Sequence, residues 1–179
     1  MPRYIAFLRA INVGGSHIVK MDHLRRLFEA LGFSNVQTFI NSGNVIFDAA
    51  AKNTEALEEK IATSLQETLS YEVATFIRPT AELTKISNDH PFLDAPLQGE
   101  GLYIAFLAKS PGAEAKKKLL SFTTKIDEFH FSRREVYWLC RFKKMSESAF
   151  SGPLLEKTLG MHATFRNSNT VKRIASKYS

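Results

Sequence analysis

Short apolar runs of strand length alternate along this chain with stripes of apolar residues at helical spacing. Tyr4–Leu8 is a compact apolar and aromatic run that suits a buried strand. Residues 9–20 read as a loop, broken by Gly14-Gly15. From Met21 the apolar positions become Met21, Leu24, Leu27, Phe28 and Leu31, one face of a helix that Gly32 ends. Val36–Asp48 reads as a hairpin, with Thr38-Phe39-Ile40 and Val45-Ile46-Phe47 flanking the turn Asn41-Ser42-Gly43-Asn44. Asn53 caps a second helix with the stripe Leu57, Ile61, Leu65 and Leu69. Glu72–Arg78 returns as a strand stopped by Pro79, and Thr80 caps a short helix.

The order then repeats. Tyr103–Leu107 repeats Tyr4–Leu8 residue for residue, 99 positions on. Ala113–Leu120 follows as a helix, Glu128–Arg141 as a hairpin turning at Arg133-Arg134, and Gly152–Leu159 as a helix ended by Gly160. Ala163-Thr164-Phe165 repeats Ala74-Thr75-Phe76, and a last helix covers Thr170–Tyr178. Each half therefore reads β-α-β-β-α-β. The predicted fold is α+β: a tandem duplication of ferredoxin-like units, each an antiparallel sheet with its helices on one face. The predicted domains are residues 1–90 and 102–179, joined by a Pro- and Gly-rich linker at 91–101.

That topology has a chemical consequence. The loop after the first strand and the turn between the second and third share one rim of the sheet. Arg9, Asn12, Gly14 and Gly15 should therefore lie near Asn41, Ser42, Gly43 and Asn44. Glycine and asparagine are ordinary turn residues, so the bland reading is a tight structural connection. The alternative is a contact rim, with amide side chains and backbone N–H groups aimed at a polar or anionic ligand. The loop has neither nucleotide-binding glycine spacing.

Charge changes the picture further. Residues 1–99 carry 9 Lys or Arg against 11 Asp or Glu; residues 100–179 carry 15 against 7. The basic excess sits entirely in the second half, either as a solvated surface or as an attractor for anions. Arg166, Asn167 and Thr170 precede or open the last helix, where a cap and an anion site use the same residues.

Other chemistry is thinly supplied. The single cysteine, Cys140, falls on the apolar face of the second hairpin with Phe129, Phe131, Val136 and Trp138, as an inert buried thiol. The histidines show no metal-binding spacing and no nucleophile elbow occurs, so neither metal nor cofactor is expected and no catalytic residue is assigned. No apolar run reaches the length of a membrane span and the N-terminus lacks a secretory pattern, which points to a cytoplasmic protein with no membrane partner. Oligomeric state is not legible.

Four segments together resemble the bacterial domain-of-unknown-function 1697 family: Tyr4–Gly15, Leu31–Phe47, Pro91-Phe92 and Leu159–Lys172. The resemblance runs through essentially the whole chain and implies tandem ferredoxin-like subdomains without an established activity. Ser168 stands where members of that family usually carry Trp.

The functional expectation is a binding module for an anionic ligand, either nucleic acid or a phosphorylated small molecule. Arg166, Asn167 and Thr170 would hold the anion, with Arg9, Asn12, Gly14, Gly15 and Asn41–Asn44 as a second rim. The alternative is an enzyme acting on a small polar substrate at that rim, through His17 or another titratable group.

Overall fold

The computed structural model describes every residue except 13, 14, 16, 90, 93–100 and 142–147. Gly14 and most of the 91–101 linker thus lie outside the described residues. The chain divides into two compact units, Met1–Thr84 with Ile174–Ser179, and Lys85–Arg173.

The first unit contains β1 (Arg3–Leu8), α1 (Met21–Ala30), β2 (Ser34–Thr38), β3 (Asn44–Asp48), α2 (Thr54–Leu69) and β4 (Thr75–Pro79). Helix α3 (Thr80–Asn88) follows β4 directly. The strands lie in the order β2-β3-β1-β4, every neighbour antiparallel. Alternate strand residues Tyr4, Ala6, Leu8, Val45 and Phe47 share one core with Leu24 and Phe28 of α1 and Leu57, Ile61 and Leu65 of α2. Each fully buried side chain of this size is worth about 1.5–3 kcal/mol relative to exposure. The Asn53 side chain accepts from the amides of Glu55 and Ala56, so α2 begins with the cap its sequence predicts.

The second unit contains β5 (Leu102–Leu107), α4 (Ala113–Leu120), β6 (Asp127–Ser132), β7 (Glu135–Cys140), α5 (Gly152–Leu159) and β8 (Ala163–Asn167), and the chain ends in α6 (Ser168–Tyr178). Its sheet has the matching order β6-β7-β5-β8, again antiparallel throughout. The Arg133-Arg134 turn holds the predicted register, with Ser132 opposite Glu135 and Phe129 opposite Trp138. Trp138 lies at the centre of this core. Its indole N–H donates to Asp127 Oδ1 at 2.8 Å, and Tyr103, Phe129, Phe150 and Phe165 surround the ring. Cys140 belongs to the same buried cluster.

Several details differ from the sequence reading: β4 starts at Thr75 and includes Pro79, and α6 starts at Ser168. Strand β2 stops at Thr38, because Phe39 N–H donates to Asn44 O and Ile40 turns the chain at φ 53°. The repeated Ala-Thr-Phe triplet is one residue out of step between the sheets: Leu8 lies opposite Thr75, but Leu107 lies opposite Ala163. The register instead matches Arg78, opposite Ile5, with Arg166, opposite Ile104. Both arginines are buried.

Candidate functional site: the first-unit rim

The connection from β1 to α1 and the β2–β3 turn meet as the topology requires. Leu8 N–H donates to Gly43 O at 2.9 Å, and the Asn12 amide donates to Asn41 O at 3.2 Å. Asn12 also closes its own loop: its Oδ1 accepts from Val19 N–H at 2.7 Å and its Nδ2 donates to Val19 O at 3.1 Å. One side chain thus copies a strand pairing with Val19 and ties it to the turn. The local backbone is costly, since Ala10, Asn12 and His17 all adopt positive φ. Such residues persist where surrounding contacts over-determine them.

Gly43 and Asn44 have mainly structural surroundings. Gly43 adopts φ 72°, and a Cβ there would lie 3.1 Å from Leu8 Cβ and 3.2 Å from both Ile11 Cβ and Leu8 O. Asn44 is fully buried, and its Nδ2 donates to Phe39 O and Ser42 Oγ. Asn41 and Gly15 are exposed and Ser42 half-buried. Arg9 is half-buried at the end of β1, where its N–H donates to Ala74 O.

An open depression of about 620 Å³ lies beside this junction, lined by Asn12, Gly15, Val19, Lys20, Met21 and Asn41 among others. It opens at the start of α1, whose N-cap, Lys20, makes no side-chain capping bond. The first amides of a helix have no intrahelical acceptor, and the helix dipole makes that end electropositive. Asp22 also lines the depression, but its carboxylate bonds to Arg25 and Arg26, which hold its carboxyl below the usual carboxylate range. Sequence reasoning missed Ile18, Val19, Met21 and Asp22 as lining residues. The available signal was a helix start with lysine where a capping side chain normally stands. His17 stacks on Tyr71, with ring centroids 4.0 Å apart.

The other predicted cluster has a different character. Arg166 is buried, its guanidinium donates to Thr164 Oγ1 and Phe165 O, and burial pulls its pKa down to about 10. Asn167 Oδ1 accepts from Asn169 N–H, an Asx cap at the opening of α6. Thr170 is half-buried in that helix. Arg166 and Asn167 belong to β8 and Thr170 to the first turn of α6, all within the second unit.

The model of proteins of unknown function designated DUF1697 matches residues 1–137. The chain belongs to that family. The DUF1697 match takes in the depression, its loop and the β2–β3 turn. No curated protein matches the chain. Among solved structures, the conserved bacterial protein SP0830 from Streptococcus pneumoniae is similar at TM-score 0.69 and 22% identity, covering 98% of this chain and 97% of that one. At that identity the likeness speaks for the DUF1697 fold alone. Among the described residues, no helix is long and apolar enough to cross a membrane.

Proposed function

We propose that this protein is a cytosolic binding module built from two duplicated ferredoxin-like units, and that it takes a small phosphorylated ligand at the first-unit rim. The observation that carries this reading is the depression at the uncapped start of α1, with Lys20 beside it, the exposed Asn41 in its lining and Asn12 holding the loop in place. A phosphate would complete the first-turn N–H groups, as anions do at helix starts. Burial favours a small molecule over nucleic acid stacked on a sheet. Tyr137 and Leu139 on one sheet, and Phe7 and Ile46 on the other, are all at most 6% exposed, which closes those surfaces to bases. This reading leaves Arg166 out of the ligand contacts, because its guanidinium is buried.

The test is a thermal-shift series with inorganic phosphate, nucleoside monophosphates and sugar phosphates on the wild type and Lys20→Glu. At least one should raise the wild-type melting temperature and leave the variant's unchanged. No rise with any of them, or an equal rise in the variant, overturns the proposal.

A further inference from the structure

We infer that the second unit carries a separate surface that binds the sugar-phosphate backbone of nucleic acid without reading its bases. The surface is the rim equivalent to that of the first unit. Leu107 N–H donates to Arg134 O at 2.9 Å, which pins the Arg133-Arg134 turn to the start of the 108–112 connection. Lys109 is exposed on that connection, and Arg133 is exposed at the turn with φ 53°. Lys116 of α4 reaches over Phe131, two residues before the turn, with its ammonium 5.7 Å from the ring centroid. Lys109, Lys116 and Arg133 thus gather at one end of the unit.

The placement of the acids makes the charge effective. Glu135 is 1% exposed, and Asp127 is buried and accepts from Trp138 and Ser148. Glu128 pairs with Arg141 at 3.0 Å, and Glu156 is hydrogen-bonded to His162 at 2.8 Å. Glu114, exposed on the first turn of α4, offsets one of the three cations. At this end Lys109 and Arg133 are exposed and Lys116 half-buried against a single exposed acid, Glu114, so the charge presented to solvent is positive.

The shape and chemistry favour a polymer. In the first unit Lys20 is part of the lining of a depression, whereas Lys109 and Arg133 are exposed on a short connection and a two-residue turn. Protein partners dock through buried aromatic or aliphatic anchors. Here Tyr137 is buried and Phe131 lies under Lys116, so what this end offers is charge. Contact by charge alone is the mode of sequence-independent phosphate binding.

The experiment is fluorescence anisotropy of labelled single-stranded and duplex oligonucleotides from about 25 to about 200 mM salt. Two to three neutralised phosphates predict a log–log salt slope of about −1.4 to −2.7, nearly equal for all sequences of one strand form. Arg133→Asn keeps a residue that tolerates positive φ; combined with Lys109→Ala it should weaken binding roughly tenfold at low salt. Lys52→Ala, an exposed site in the first unit, should change it less than about twofold. No binding at about 25 mM salt overturns the inference. So do equal losses in Lys52→Ala, or tighter binding of anionic vesicles or polyglutamate. Lys20→Glu reports on the small-ligand site, so the two proposals fail independently.

Discussion

The two units use one frame and finish its rim differently. Asn44 lies opposite Phe7 as Glu135 lies opposite Phe106, and Gly43 O accepts from Leu8 as Arg134 O accepts from Leu107. In the first unit the longer connection, residues 9–20, sets Ile11 against Gly43 and leaves no room for a side chain. In the second the connection is only 108–112, and the equivalent position holds an arginine. The strands set where the rim is; the length of the connection decides whether it becomes an amide-lined hollow or a cationic tip.

The strongest way to break this comparison is to put alanine at both equivalent positions. Gly43→Ala should cost about 2–4 kcal/mol, from positive φ together with contacts to backbone and Cβ atoms that cannot swing aside. Arg134→Ala should stay within about 1 kcal/mol. Urea midpoints decide it, and equal losses would mean that the connections do not govern the rims. Next in size, Asn12→Ala should cost about 1–2 kcal/mol by removing the bonds to Val19 and Asn41. Amide hydrogen exchange at Val19 should rise, while Leu107 remains protected.

The smallest expected effect concerns the end of the two central strands of the first unit. Asp48 accepts from Arg3 Nε at 2.9 Å and from Asn35 Nδ2 at 2.7 Å, and the Arg3 bond is the leading cause that holds its carboxyl below the ordinary 3.8. A depressed carboxyl contributes its full stabilisation above the unfolded pKa and loses it as pH falls through the folded value. Partial exposure of Arg3 limits this to about 0.5–1 kcal/mol. Wild type minus Asp48→Asn, followed by urea midpoint from pH 6 down to about pH 2, should shrink below pH 4.

What the sequence made legible was local and periodic. The second hairpin could be registered because its apolar alternation is interrupted by a turn of only two residues, and Asn53 could be placed because a cap is defined by the amides that follow it. The rim juxtaposition followed from strand direction alone. Three features were hidden. Ile40 at positive φ runs against β-branched preference and is tolerated because the Asn44 amide closes the turn around it. The Ala-Thr-Phe triplet invited a match that the hydrogen bonds place one residue away, since identity carries no register. Arg166 resembled an anion ligand beside a helix start, but the alternation of β8 puts Thr164 and Arg166 on the side of the sheet away from Phe165 and the aromatic core, where the guanidinium is buried.

Trp138 is the only tryptophan in the chain, and its ring is sealed among aromatics of the second unit. Its emission is therefore a signal from that unit. A denaturation curve read at that wavelength tracks the loss of one aromatic cluster, whereas far-ultraviolet circular dichroism weighs helices from both units. Coincident midpoints would define a single cooperative transition, and separated midpoints would assign the tryptophan curve to the second unit and the remainder to the first.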